Sequence, residues 1–311
     1  MKTAVIWNPT SGNADEALLQ QTFADWHKTE LVSTLQPGDG GKLARQAVEQ
    51  GAKRIIAVGG DGTIGEIVNG LVDVLDRVRL GILPAGTGND LARGLGIPLE
   101  WDEAVEVLHQ SHRQHFDLIR VHHQGESLRH FLNVSVGGFT QEVKERAEEN
   151  FKENWGPLGY LEAGLEGSAH ITPYKVRITC DDKPSTTMEA SIVVMANSPY
   201  MSAGIPIVPG ARPNGGKVDF LAFRPCNAAE LMVLAPWVLT GQHTESDWVV
   251  HLQAKSVTLR SEPLMPFDMD DRYVTQPELT FEALHQAIEI YVPTRDPNEE
   301  DLLFHGDRVL M

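Results

Sequence analysis

The sequence predicts an α/β amino-terminal domain with a Rossmann-like parallel sheet, followed by a carboxy-terminal domain of mostly antiparallel β-strands. A length of 311 residues favours two domains over one. In residues 1–118, short apolar runs alternate with segments of helical periodicity, an order typical of parallel strands joined by helical crossovers. Later segments alternate apolar and polar residues, as antiparallel strands with one solvated face do.

The first domain is predicted to cover residues 1–118, with strands and helices in βα order. The predicted elements are, in turn, strand Thr3–Trp7, helix Asp15–His27, strand Glu30–Leu35, helix Gly41–Gln50, strand Arg54–Val58, helix Ile64–Leu75, strand Leu80–Leu83, helix Asn89–Leu95 and helix Asp102–His109.

The second domain is predicted to cover residues 119–295, entered through a strand at Phe116–Val121. The further strands or strand pairs are Phe131–Val136, Tyr174–Thr179, Ala190–Ala196, Val218–Phe223, Val249–Leu259 and Glu278–Val292. Helices are predicted over Gln141–Leu165 and Ala228–Leu239. The tail is amphipathic over Asp301–Met311, and residues 296–311 are expected to pack back on the first domain.

Composition excludes several classes of protein. A formal net charge of −17 opposes a nucleic-acid partner, because phosphate neutralisation needs a basic face. No apolar run approaches the length of about 18 residues that a membrane-spanning helix needs. Two cysteines and an N-terminus that enters a strand at once favour a cytoplasmic protein without a signal peptide. A homodimer is left open.

The segment Val58–Thr63 is predicted to bind a nucleoside triphosphate. Gly59 and Gly60 follow the third strand, and Gly62 and Thr63 open a helix. Glycines permit positive φ and let the backbone approach a phosphate, and the helix amino terminus adds N–H groups and a favourable dipole. An ordinary tight turn with a capping aspartate is the weaker interpretation, and the absence of Gly-Lys-Ser/Thr excludes a Walker loop.

Asp61 lies among these phosphate-binding glycines. A carboxylate beside a phosphate needs a divalent cation between them, so Asp61 is the candidate Mg²⁺ ligand and a candidate catalytic residue. Glu66 follows one helical turn later and is a weaker candidate for the same site, since a solvated helix charge is the ordinary alternative.

Two further turns have the same character, one after the first strand and one after the fourth. In a parallel sheet the carboxyl ends of the strands form one edge, where ligands bind, so the three turns are expected to converge there. Their candidate nucleotide-binding residues are Asn8, Thr10, Ser11 and Gly12 in the first turn, and Gly86, Thr87 and Asn89 in the last.

The segments 8–12, 59–66 and 84–93 together resemble, in order and spacing, the three amino-terminal motifs of the diacylglycerol kinase catalytic family, which includes sphingosine and ceramide kinases. The resemblance continues through 133–139, 215–219 and 267–270, and so covers nearly the whole chain. Thr34 matches a nucleotide-contacting threonine of the family. NAD kinases and phosphofructokinases also contain Gly-Gly-Asp-Gly, but Pro84–Arg93 fits the lipid kinases better.

The resemblance implies ATP bound between the two domains, and Mg²⁺-assisted transfer of its γ-phosphoryl group to a lipid hydroxyl. The lipid would come from a membrane surface that the protein visits transiently. The competing hypothesis is a nucleotide-binding protein with weak or lost kinase activity and a regulatory role.

Two positions depart from the family. The glutamate regarded as the general base of the family aligns with Arg272, which cannot accept a proton. Asp270 and Asp271 are therefore the candidate substitute bases. The structural Mg²⁺ site of the family uses an Asp-Gly pair where this chain has Gly215 and Gly216, so that site is not expected here.

Overall fold

Four parallel strands form one end of a large mixed sheet. The computed structural model describes residues 1–12, 15–138, 173–269 and 272–294. Its first strands are β1 (Thr3–Trp7), β2 (Thr29–Ser33), β3 (Arg54–Gly59) and β4 (Arg79–Pro84). They lie in the order β2-β1-β3-β4, which places the turns after them side by side along one edge of the sheet.

Five helices connect or flank these strands. They are α1 (Glu16–Thr22), α2 (Asp39–Glu49), α3 (Asp61–Leu71), α4 (Asp90–Leu95) and α5 (Trp101–Gln110). The predicted helix Ile64–Leu75 was wrong at both ends, because α3 already begins at Asp61 and passes into a 3-10 helix at Val72–Arg77.

The remaining strands are antiparallel to one another wherever they pair. They are β5 (Arg113–His123), β6 (Glu126–Phe131), β7 (Val134–Gly137), β8 (Tyr174–Cys180), β9 (Thr186–Ala190), β10 (Ile192–Ala196), β11 (Val218–Phe223), β12 (Val249–Ala254), β13 (Ser256–Glu262), β14 (Phe267–Met269), β15 (Arg272–Val274) and β16 (Leu279–Tyr291). Helix α6 (Ala228–Thr240) and a 3-10 helix (Gln242–Glu245) lie between β11 and β12.

Two sheets result from this pairing. The ten-stranded sheet has the order β2-β1-β3-β4-β16-β13-β8-β9, with β5 on β16 and β6 on β5. The six-stranded sheet has the order β12-β11-β10-β7-β14-β15. The predicted combination of a parallel α/β sheet and an antiparallel β region is confirmed, although β16 joins the two regions by pairing in parallel with β4.

The described residues form three apolar cores. The first buries β1, β3 and β4 against the helices and also takes Phe116 and Ile290 from the long strands β5 and β16. The second lies between the two sheets and contains Phe220 and Phe281. The third lies on the other face of the six-stranded sheet, beneath α6. The predicted domain boundary at residue 118 falls within β5, and it stays a prediction.

Three of the segments predicted as strands or strand pairs are pairs of strands. Each is interrupted by one or two residues, and its halves enter different sheets: Phe131–Val136 between β6 and β7, Ala190–Ala196 between β9 and β10, and Val249–Leu259 between β12 and β13. In the last two of these segments, both halves bury side chains in the core between the sheets. The predicted helix Gln141–Leu165 and the tail 296–311 lie outside the described residues.

None of the helices among the described residues is long and apolar enough to cross a membrane.

Candidate functional site

The three glycine-containing turns lie next to one another at the carboxyl edge of the parallel strands. The Asn8 N–H donates to the Val58 carbonyl at 3.2 Å, and the Ala85 N–H donates to the Gly59 carbonyl at 3.0 Å. Thr34, which is buried, adds the end of β2 through a 2.9 Å bond from its N–H to the Trp7 carbonyl. The turns thus extend the sheet in register beyond the strands.

Gly60 and Gly86 bring two of these turns into backbone contact. A Cβ on Gly86 would lie 2.4 Å from the Gly60 Cα, and a Cβ on Gly59 would lie 2.8 Å from the Thr63 side chain. The positive φ that glycine permits is not used at Gly60, whose φ is −89°. Close approach of the two chain segments requires the glycines instead.

Helix α3 begins directly in this contact. Gly60 is its N-cap residue, and no side chain caps the amino terminus of the helix. Gly62 and Thr63 lie in its first turn and are partly exposed. The N–H groups of a first helical turn lack partners within the helix, so this end of α3 can accept an anion such as a phosphate.

Asp61, the first residue of α3, ties α3 to α4. Its Oδ2 accepts the Asp90 N–H at 3.0 Å, and its Oδ1 accepts the Leu91 N–H at 2.9 Å. Burial raises the pKa of the Asp61 carboxyl, while these N–H groups and the nearby Arg93 favour the charged form. The carboxylate therefore holds two turns together, and its catalytic and metal-binding roles stay predictions.

Glu66 lies one turn further along α3, where its carboxylate meets the start of α2. Its Oε1 accepts the Gly38 N–H at 2.6 Å, and its Oε2 accepts the Gly40 N–H at 3.2 Å. Helices α2 and α3 approach at backbone distance there, since a Cβ on Gly70 would lie 2.2 Å from the Gly41 carbonyl oxygen. Both Glu66 oxygens thus stabilise the amino terminus of α2, and a nucleotide contact stays a prediction.

The first and last turns are closed by asparagine side chains. Asn8 Oδ1 accepts the Thr10 N–H at 3.0 Å and the Thr10 hydroxyl at 2.8 Å. Asn89 Oδ1 accepts the Gly86 N–H at 2.9 Å, and its amide donates back to the Gly86 carbonyl at 2.8 Å. These bonds hold the neighbouring residues Ser11, Gly12 and Thr87 at the partly or fully exposed rim of the edge.

Asp90 connects the amino-terminal turns to the six-stranded sheet, and the sequence did not reveal this role. Its Oδ1 accepts the Gly204 N–H at 2.7 Å, and its Oδ2 accepts the Ala203 N–H at 3.1 Å. Ser202, Ala203 and Gly204 all have positive φ, at 53°, 63° and 103°. In this turn the N–H groups of Ala203 and Gly204 converge on the Asp90 carboxylate, as they do in an anion-binding nest.

The segment Ser202–Gly204, here called the nest turn, follows β10 and carried no recognisable motif. The signal for Asp90 was a carboxylate directly after a glycine-rich turn, but nothing indicated its partner. Burial and the charge of Asp61 raise the pKa of Asp90 to about 6. Arg93 stands beside the pair, and its Nε donates to the Gly88 carbonyl at 3.2 Å.

The candidate bases Asp270 and Asp271 lie outside the described residues, so their predicted role stays a prediction. The helix predicted over Ala228–Leu239 is present as α6. It buries Leu234 and Ala235, while Met232, Val233 and Trp237 are exposed on its other side.

Comparison with known proteins agrees with this geometry. Residues 2–121 match the diacylglycerol kinase catalytic domain, and residues 133–292 match the YegS C-terminal NAD kinase beta sandwich-like domain. A diacylglycerol kinase of Staphylococcus carnosus (strain TM300) is 30% identical over 305 residues, covering 96% of this chain and 97% of the relative. The chain belongs to the diacylglycerol kinase family.

Other members of this family support the same assignment. A diacylglycerol kinase of Staphylococcus aureus (strain MRSA252) is 28% identical over 314 residues, covering 99% of this chain and 97% of the relative. The crystal structure of a putative diacylglycerol kinase from Bacillus anthracis str. Sterne has a TM-score of 0.78 at 26% identity, covering 96% of this chain and 98% of that one. The resemblance predicted from the three turns is confirmed, and the protein is by family a lipid kinase.

Proposed function

We propose that this protein transfers the γ-phosphoryl group of ATP to the hydroxyl of a diacylglycerol or sphingoid-like lipid, with Mg²⁺ bound alongside the nucleotide. The observation that carries the proposal is the edge formed by the three turns, with the uncapped amino terminus of α3 at its centre. Phosphoryl transfer depends mainly on positioning and charge neutralisation, which backbone N–H groups fixed in this way supply.

The residues of this edge fit a triphosphate. Gly60 and Gly86 leave no room for a Cβ between the turns, so the backbone itself lines the edge. Asn8 and Asn89 fix the conformation of the turns before any ligand arrives. A site that is ordered in advance avoids the entropy of arranging its loops upon binding.

The residues of this edge could bind Mg²⁺ only together with the phosphates of the nucleotide. Each oxygen of Asp61 already accepts one N–H. No cluster of three or more potential metal-ligating side chains occurs in the described part of the chain. Mg²⁺ commonly keeps several waters and binds through one or two carboxylates and the phosphates of its substrate. Bound in that way, it would neutralise phosphate charge near Asp61.

The acceptor hydroxyl needs a group that takes its proton. We assign this role to Asp270 or Asp271, because Arg272 replaces the glutamate implied by the family resemblance and carries no acceptor. The acceptor is a lipid on the same family evidence, so the protein is expected to act from the cytoplasm on a membrane that it contacts transiently.

The proposal is tested by incubating the purified protein with ATP, Mg²⁺ and vesicles that contain diacylglycerol, sphingosine or ceramide, followed by mass spectrometry of the lipids. We expect one of these lipids to gain a phosphate. Asp270→Asn and Asp271→Asn identify the base, since the variant that loses kcat while keeping ATP affinity marks it.

Arg272 favours a second candidate function, a nucleotide-binding protein that no longer transfers phosphate efficiently. The variant Arg272→Glu separates the two. If the wild-type protein phosphorylates a lipid and this variant gains little, the enzyme function holds. Tight ATP binding without transfer by the wild type, together with transfer by the variant, would establish the regulatory alternative.

A further inference from the structure

Asp117 in β5 is a fully buried carboxylate that joins two distant parts of the chain. Its Oδ2 accepts the Gly216 N–H. Its Oδ1 accepts the Gln286 N–H at 2.8 Å and a bond from His285 Nδ1, also at 2.8 Å. The Asp117 N–H in turn donates to the Pro213 carbonyl at 2.7 Å. Asp117 thus clamps the turn 212–216 between β5 and β16.

A β-bulge in β16 brings His285 to this carboxylate. The register of β16 against β5 shifts between Leu284 and Ile288, and Gln286 adopts a φ of 53°. Bulges re-aim side chains that regular pairing would place elsewhere. The imidazole lies over Gly216, whose φ is 67° and whose Cβ, if present, would lie 3.1 Å from His285 Nδ1.

The clamp stands where the family resemblance implies a structural Mg²⁺ ion. That ion does not fit here, because Gly215 and Gly216 bring no carboxylate to the turn. Asp117 is the carboxylate at this place, and both of its oxygens already accept nitrogen donors. Hard cations such as Mg²⁺ need oxygen ligands, which an imidazole does not provide.

We propose that His285 has taken over the task of the structural cation. The imidazole N–H satisfies the buried Asp117 carboxylate and closes the turn 212–216 by a side-chain bond instead of a metal bridge. A buried carboxylate is stable only when such donors compensate its desolvation. This protein therefore needs divalent cations for its nucleotide and none to hold the turn.

The clamp lies next to the candidate site, to which Asn197 and Ser198 connect it. Asn197 Nδ2 donates to the carbonyls of Asp117 and Leu132, at 3.0 and 2.9 Å. The next residue, Ser198, lies against α4, where a Cβ on Gly94 would lie 2.1 Å from its hydroxyl oxygen. Asn197 and Ser198 thus link the clamp to α4, the helix that carries Asp90.

The test measures thermal unfolding of the full chain without nucleotide, in EDTA and in excess Mg²⁺. For the wild type, we expect the two Tm values to agree within about 1 °C, since a ligand that binds only the folded state must raise Tm. A wild-type Tm that falls in EDTA and recovers with Mg²⁺ overturns the proposal. Because the readout uses neither ATP nor a lipid, failure of the proposed function leaves this result unaffected.

Substitution provides the second arm. His285→Ala is expected to lower Tm by about 5 °C in both buffers, because a charge-assisted bond to a buried group is lost. His285→Gln retains an N–H donor and should recover part of that loss. The matched control is His27→Ala at an exposed histidine, which should leave Tm unchanged. Equal Tm values for wild type and His285→Ala overturn the proposal, and the wild-type arm decides the question if His285→Ala does not fold.

Discussion

The half-buried Asp61 and the buried Asp90 lie near one another, yet their carboxylates bind different parts of the chain. Asp61 accepts the amides of Asp90 and Leu91, which lie in the next glycine-rich turn of the same sheet edge. Asp90 accepts the amides of Ala203 and Gly204, more than one hundred positions away. The edge of the parallel strands is thus held by bonds between its own neighbouring turns and helices, whereas its link to the six-stranded sheet depends on a long-range bond between the Asp90 carboxylate and the nest turn.

Because of this difference, substitutions around Asp61 and substitutions around Asp90 should have different effects. Changes around Asp61 and the glycine contact should weaken nucleotide binding directly. Changes around Asp90 and the nest turn should alter how the two parts meet while leaving the phosphate-facing amides in place.

The largest effect is expected for Asp61→Ala. The substitution leaves the Asp90 and Leu91 N–H groups without their acceptor at the start of α4. Two unsatisfied and largely buried amides should cost about 4 kcal/mol of unfolding free energy, and ATP affinity should fall with the turn geometry. Urea unfolding and ATP titration measure both. Asp61→Asn is the matched control, because its amide oxygen retains one acceptor and the loss should be roughly halved.

The next effect concerns pH. Burial and Asp61 raise the pKa of Asp90 from 3.8 to about 6, so the folded state holds a proton that the unfolded state releases. The contribution of the Asp90 carboxyl to folding stability is fully present below pH 3.8 and is lost as pH rises through about 6. A shift of two units corresponds to about 3 kcal/mol.

The measurement is the difference in unfolding free energy between wild type and Asp90→Asn across that range. The asparagine does not titrate, so the unfolding free energy of the wild type should fall relative to that of Asp90→Asn as pH rises. A constant difference between the two proteins would show that Asp90 titrates normally.

A smaller effect is expected for Gly86→Ala. The added Cβ would stand 2.4 Å from the Gly60 Cα, closer than real Cβ contacts allow, so the two turns must separate. Overpacking of this kind should cost about 2 kcal/mol. We also expect a fall in ATP affinity, measured by calorimetry. Gly210→Ala serves as the control, since nothing lies within 4 Å of a Cβ there, and it should change neither quantity.

The smallest effect is expected for Ala203→Gly in the nest turn. Alanine at a φ of 63° is strained, and glycine relieves that strain while increasing the freedom of the unfolded chain. The net change should be a stabilisation of about 0.5 kcal/mol. Denaturant unfolding measures it, and a clear loss of stability would show that the alanine methyl group, not the backbone conformation, matters at this position.

The sequence predicted the structure well where the features that determine it lie close together in the chain. The parallel arrangement of β1 to β4 and the meeting of their turns follow from βα alternation and from glycines at strand ends. The same reasoning did not reveal that Gly60 and Gly86 contact each other, because a close approach between segments 26 residues apart leaves no local pattern in the sequence.

The antiparallel region was harder to predict, because the chain passes from one sheet to the other at single residues. Ser191 and Lys255 each separate strands of two different sheets, and nothing in their neighbours' hydropathy marks the change. The partners of Asp90 and Asp117 were equally invisible, since backbone amides donate from residues of any type. Long-range bonds between a carboxylate and backbone amides can be recognised only in the three-dimensional structure.

The proposed lipid kinase activity is tested most directly by following radiolabelled γ-phosphate from ATP to vesicle lipid in parallel reactions of wild type and Asp61→Ala. We expect a labelled lipid with the wild type, and a loss of at least about 100-fold in kcat/KM for the variant, since positioning of the phosphates is lost. Wild-type protein that binds ATP but labels no lipid, or equal labelling by both proteins, would contradict the proposal.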